Sequence, residues 1–178
     1  GEYVELNTRI KSYYDKYTIN IMSDNSILSG YSDKKFILYS IKKNKIEQQC
    51  ILGDNDDDII FSGFSEKTKF MYYCKNNVVI GMNLNTKKEN VLFNLKDEFN
   101  LNGKDVERVF YNEEASEIYV ILEMEVEKNK YENKLYKIDL RNSNIIMLAQ
   151  RYGRRIQIYY SYLYNQFYYS YDENIYMI

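Results

Sequence analysis

Three aspartates on alternate positions, Asp54, Asp56 and Asp58, stand between two apolar runs in "CILGDNDDDIIFSGF" (50–64). Alternating oxygen ligands open a calcium loop of the EF-hand type, which also needs Gly at position 6 and a bidentate Glu at position 12. Counted from Asp54, those positions hold Ile59 and Ser65. The spacing therefore predicts no metal site. The better reading is a solvated connection in which Gly53, Asp54, Asn55 and Asp56 form the turn, with Asp57 and Asp58 leading into the next apolar run.

Three further groups of carboxylates could in principle supply an acid and a base for glycoside hydrolysis. They are Glu113 with Glu114, Glu123 with Glu125 and Glu127, and Asp172 with Glu173. Nothing in their spacing makes any two converge. Glu123, Glu125 and Glu127 alternate with Met124 and Val126, as on a strand with one wet face. The chain has no His, so the commonest general base and zinc ligand are both missing. No nucleophile–base pair or glycine-rich phosphate loop stands in the sequence either. The expectation is a protein that is not an enzyme and uses no cofactor and no metal.

The second charged connection is "QRYGRR" (150–155), with Arg151, Tyr152, Arg154 and Arg155. It is too small for a nucleic-acid site but suits an acidic partner. Nine of the 21 tyrosines fall between 152 and 178. Tyrosine beside arginine can stack a sugar or grip a peptide. Yet the doublets Tyr159–Tyr160 and Tyr168–Tyr169 put one ring on each face of a strand. At least half of these rings must then pack inside the protein.

Composition bounds what these residues can belong to. A chain of 178 residues suits one domain with one core. At 45% hydrophobic and 28% charged it is globular. A net charge of −2 speaks against general nucleic-acid binding, and no apolar run is long enough for membrane insertion. Abundant Asn, Lys, Ile and Tyr mark an AT-rich genome, which weakens any argument from tyrosine number alone. Cys50 and Cys74 lie on apolar runs without a CxxC spacing and read as buried free thiols. The chain opens on Gly1 instead of Met, as a trimmed end would, which leaves room for a leader or neighbouring domain. An extracellular or cell-surface location is favoured over a cytoplasmic one.

The elements that must position these residues are strands. β-branched and aromatic runs of four to eight residues recur between Asn, Asp, Gly, Ser and Lys clusters. They fall into sets of four: about 17–52, 58–96, 106–150, and a last set over 156–178 with three strands. Third strands recur at intervals of about 40, 55 and 40 residues, the longer one attributed to enlarged loops at 97–105 and 125–133. A four-stranded unit at this period predicts β-propeller blades, because one meander alone has open edges and a marginal core. The N-terminal "EYVELNTRI" (2–10) is expected to complete the last blade. The competing expectation is a piece of a larger ring, or association of two chains.

The segment "NKLYKIDLRNSNI" (133–145), with the recurring "F-YY" and "IY-I" patterns, resembles WD-type and related bacterial propeller repeats. The nearest group is the tyrosine-rich propeller repeats of low-GC Gram-positive bacteria. That resemblance implies an all-β propeller of about four four-stranded antiparallel blades. The Gly-His and Trp-Asp signatures are absent, since the chain has neither His nor Trp, so the His–Asp network of true WD repeats is not available. In such a fold the connections 53–58, 97–105, 125–133 and 151–155 gather on one rim. Function tends to sit on loops held by a rigid scaffold. The predicted function is a non-catalytic binding or scaffolding module using Asp54, Asp56, Asp57, Asp58, Arg151, Tyr152, Arg154 and Arg155. Its expected partner is a protein or peptide, with a glycan-binding or carbohydrate-active propeller, or a structural segment of a larger surface or sensor protein, as the alternatives.

Overall fold

The computed structural model describes residues 20–21, 27–32, 35–40, 43–54, 56–65, 67–153, 156–161, 166–171 and 174–177. Residues 2–10, expected to complete the last blade, lie outside these, as do Arg154, Arg155, Asp172 and Glu173.

Turn residues cut the β-forming runs into antiparallel meanders. The first sheet holds β1 (Asn20–Ile21), β2 (Ile27–Ser32), β3 (Lys35–Ser40) and β4 (Lys45–Ile51). The second holds β5 (Ile59–Ser65), β6 (Phe70–Lys75), β7 (Val78–Asn83) and β8 (Glu89–Asn94), followed by a single helical turn, α1 (Leu95–Glu98). The third holds β9 (Lys104–Asn112), β10 (Glu117–Glu127), β11 (Lys130–Asp139) and β12 (Asn144–Tyr152). The fourth holds β13 (Gln157–Ser161), β14 (Gln166–Tyr171) and β15 (Asn174–Met177). In every sheet spatial order follows chain order. Asparagines take the left-handed conformation at the tight turns, as at Asn76 (φ 51°), Asn77 (φ 69°) and Asn129 (φ 62°), which their short polar side chains tolerate.

Alternation of side chains lets each middle sheet bury both faces. From β6, Met71 and Tyr73 join Phe36 and Leu38 of the first sheet in one cluster. Cys74 of β6 and Val79 of β7 turn the other way, to Val106, Ile118, Val120, Leu122 and Ile138 of the third sheet. Tyr119, Ile121 and Leu135 of the third sheet meet Ile158 and Phe167 of the fourth, with Ile156 from the preceding link. The first strands of the second and third sheets lie side by side, β5 along β9. Antiparallel meanders stacked face to face in series make the fold all-β and propeller-like, as the sequence predicts.

A recurring irregularity supports the repeat. The outer strand of each of the first three sheets carries one extra residue against its neighbour, at Glu47, Leu92 and Leu148. Such bulges twist an outer strand and blunt its open edge.

Two expectations need correction. Residues 125–133 are not an enlarged loop: β10 and β11 pair through Met124↔Glu132 and Glu125↔Tyr131 to a turn at Lys128 and Asn129. The charges of that segment alternate with the pleat instead of forming a coil. The second set of strands, 58–96, does not end in strand either: β8 stops at Asn94 and α1 follows. The side chain of Asn94 accepts from Lys96 N–H and starts α1, so the local cap competes with the ladder. Residues 97–105 divide between the end of α1, a connection, and the start of β9.

The cysteines are free thiols, Cys74 buried and Cys50 half-buried. Burial pushes the Cys74 thiol up to about 12 and raises that of Cys50.

Candidate functional site

Because each sheet is a meander, links between sheets and the turns between second and third strands share one rim, here the upper rim. The remaining turns share the lower rim. Hydrogen bonds between upper-rim segments define two sectors.

The acidic sector is built around Asp57. Its carboxylate pairs with Lys75 Nζ at 2.9 Å, accepts from Asn76 Nδ2 at 2.7 Å, and accepts from Asp54 N–H at 2.8 Å. Those donors, led by Lys75, hold the Asp57 carboxyl down at about 2. Asn76 works in both directions, since its Oδ1 accepts from Asp58 N–H and its own N–H donates to the Asp58 carbonyl. The link between the first two sheets is thereby stapled to the β6–β7 turn. Asn77 extends the same contact, its carbonyl accepting from Leu95 N–H at the start of α1 at 2.9 Å. Gly53 sits in close approach: an added Cβ would collide with Asp57 Oδ2 and stand 2.8 Å from Ile59 Cδ1, so both side chains would have to shift.

The staple reverses the roles read from spacing. Asp54, Asp56 and Asp58 alternate, but the residue held by side-chain partners on both oxygens is Asp57, between them. Lys75 supplies the positive charge this carboxylate faces. Among the described residues no group of three His, Cys, Asp or Glu side chains is arranged to hold a metal ion.

The second sector joins the β10–β11 turn to the link after β12. Gly153 N–H donates to the Tyr131 carbonyl at 2.8 Å, with Gly153 at φ +75°, a conformation glycine adopts freely. Beneath this tie, the buried Glu132 carboxylate accepts from Gln150 and pairs with Lys134 at 3.0 Å. Hydrogen bonds to Glu132, first from Tyr152, hold its carboxyl below the usual range. Tyr152 also receives a hydrogen bond from Gln150 at 2.9 Å. Tyr131 and Tyr152 leave 41% and 64% of their surface exposed; Tyr152, opposite Glu132 in the ladder, shares the face of this polar cluster, and Tyr131, one residue along β11, turns to the other face. Arg151 pairs with Asn133 in the ladder. Asn133 is buried, and its Oδ1 has no hydrogen-bond partner among the described residues.

Most of the other described tyrosines do packing work. Tyr73 and Tyr119 are fully buried between sheets. Each hydroxyl reaches a carboxylate, Tyr73 to Glu89 and Tyr119 to Glu117 at 2.5 Å, which answers the cost of burying a polar group. The candidate acid–base groups are split by the fold: Glu113 and Glu114 follow β9 on the lower rim, whereas Glu125 and Glu127 end β10 on the upper one. An 11-residue strand separates them, far beyond the ~5–10 Å that glycosidase carboxylates require.

Sequence reasoning missed Lys75, Asn76, Glu132 and Gln150. The signal for the first two was the "KNN" turn, whose paired asparagines mark a hairpin on the same rim. Glu132 and Gln150 carried none, since pairing across β11 and β12 alone unites them.

No protein-family model and no curated protein matches the chain. Solved structures with similar overall shape include the extracellular domain of a B. thetaiotaomicron protein described as a one-component and as a hybrid two-component system. Its two structures are 11% identical, cover 97% and 98% of this chain but 28% and 27% of their own, and give TM-scores of 0.47 and 0.49. Dipeptidyl peptidase 4 from Porphyromonas gingivalis is 7% identical, with 94% of this chain and 31% of that one covered and a TM-score of 0.45. The WD40 domain of SCAP from fission yeast gives 6%, 90%, 41% and 0.38 in the same terms. The chain thus spans between about a quarter and two fifths of these proteins. At these scores the likeness carries no weight of its own, and the propeller-like fold rests on the packed meanders.

Proposed function

We propose that this domain is a non-catalytic binding or scaffolding module, a propeller of the tyrosine-rich repeat type, whose upper rim holds a protein or peptide. The reading rests on the Tyr131–Gly153 tie, which anchors two exposed aromatic residues at one end of the third sheet, with Tyr152 beside the Glu132–Gln150–Lys134 cluster. Rigid aromatic area with polar groups beside it is what peptide recognition uses, because little side-chain entropy is lost on contact. Arg151 and Tyr152, with Arg154 and Arg155, make this the contact sector. Asp57 is a structural tie of the opposite sector, and Asp54, Asp56 and Asp58 form its outer surface. The test is a peptide library and a glycan array screened against wild type and Tyr131→Ala/Tyr152→Ala. Peptide hits should weaken at least about tenfold in the variant. Undiminished peptide binding would sink the reading, and hits confined to glycans would replace it with the carbohydrate alternative.

A second reading is a structural segment of a larger surface or sensor protein. Its support is the fourth sheet, which has three strands among the described residues where the others have four. Analytical ultracentrifugation separates the two, since a stable monomer at all concentrations contradicts a segment that needs a neighbour.

A further inference from the structure

The lower rim of the first two sheets carries Lys43 and Lys45 at the β3–β4 turn, Lys67 and Lys69 at the β5–β6 turn, and Lys87 and Lys88 at the β7–β8 turn. All six are exposed. Hydrogen bonds hold these turns in one sector: Leu84 N–H donates to the Lys69 carbonyl at 2.9 Å, and Gln48 of β4 donates to the Leu84 carbonyl at 2.7 Å. Lys87 is close enough to act electrostatically on Cys50 of β4, which places it at the seam between the two sheets. The sector's described carboxylates are already engaged, Glu47 by Lys43 at 2.6 Å and Glu89 by the Tyr73 hydroxyl. Lys45, Lys67, Lys87 and Lys88 form no ion pair with a described residue. Lys69 and Lys87 also adopt φ 58° and 59°, where Asn or Gly sits with less strain.

We infer that this lysine sector docks an acidic polypeptide segment. Ammonium groups on flexible stems are point charges that follow carboxylates spread along a mobile chain. Arginine's rigid fork suits carboxylate and phosphate alike, so the lysines set the sign of the charge they attract, and the extent of the sector selects the kind of chain that carries it. The sector is also bounded. Next to it the third sheet's lower rim presents Glu113 and Glu114, and its Arg141 is held by both oxygens of Asp139. Without the six lysines the chain's net charge of −2 would be −8. A nucleic acid or an anionic bilayer, extending past the sector, meets that negative surface. A short acidic segment fits within it and stays within about one Debye length, ~8 Å at physiological ionic strength, of the lysines.

Fluorescence anisotropy with a labelled oligo-glutamate peptide tests this on the whole chain. Wild type should bind at low ionic strength and release with added salt. Lys67→Glu/Lys69→Glu/Lys87→Glu/Lys88→Glu should lose about tenfold or more in affinity, while Lys128→Glu/Lys130→Glu on the upper rim should bind as wild type does. Circular dichroism and melting establish that the variants fold. If the fourfold variant does not, Lys67→Gln/Lys88→Gln should weaken binding in the same assay. Absence of binding by wild type, equal loss in the upper-rim variant, or unchanged affinity in the lysine variants would overturn the inference. So would tighter binding to a DNA duplex or phosphatidylserine vesicles than to the peptide.

Discussion

Strands β10 and β15 are built from similar residues and live in opposite surroundings. In β10, Glu117 through Leu122 are buried without interruption, Ile118 and Val120 against the second sheet and Tyr119 and Ile121 against the fourth. In β15, Ile175 and Met177 leave 73% and 71% of their surface in solvent. A strand buried on both faces reads as an unbroken apolar run, because alternation appears only where one face is wet. The same aliphatic residue is thus a core element in one sheet and a surface feature in another, and its position in the stack decides which.

The largest test of that contrast is Ile121→Ala. It empties a fully buried site between two sheets, and should lower stability by about 2–5 kcal/mol in urea denaturation. A loss below that range would mean the third and fourth sheets are not packed as described. Gly53→Ala sharpens the contrast from the side of a link: the added methyl overpacks Asp57 and Ile59, at a cost of about 1–3 kcal/mol. If it were neutral, the staple would not need its close approach. Third comes pH. The folded carboxyl of Asp57 is held down at about 2, below its ordinary value of 3.8. A depressed folded value adds stability that is complete above the unfolded value and is lost as pH falls through the folded one. Melting temperatures should therefore fall between about pH 4 and pH 2, and Asp57→Asn should flatten that part of the profile. An unchanged slope in the variant counts against the Lys75 and Asn76 contacts. The smallest effect is Ile175→Ser, expected within about 0.5 kcal/mol of wild type by the same denaturation.

The contrast also explains what could be read in the chain. "EIYVIL" announces a strand because β-branched and aromatic residues crowd it, and turn residues between such runs set the count of strands. The extension of β10 past that core was legible, since Glu123, Glu125 and Glu127 alternate with Met124 and Val126, but that of β11 was hidden: residues 128–133 are charged enough to pass for a loop, and only their pairing shows the pleat. The bulges at Glu47, Leu92 and Leu148 were invisible for the same reason, being properties of two strands in register. At the acidic link, alternating aspartates drew attention to the wrong members. Asp57 is chosen by Asn76, 19 residues away in the chain, and no local spacing reports such a partner.

Cys74 turns the seam between the second and third sheets into a clock. Its thiol is packed with Val79, Ile118 and Val120 and shifted to about 12, so almost none is thiolate at neutral pH. A thiol reagent will modify the half-buried Cys50 first and reach Cys74 only when those two sheets part. The slow phase of labelling, followed by mass spectrometry, then counts how often a folded molecule opens along one internal boundary.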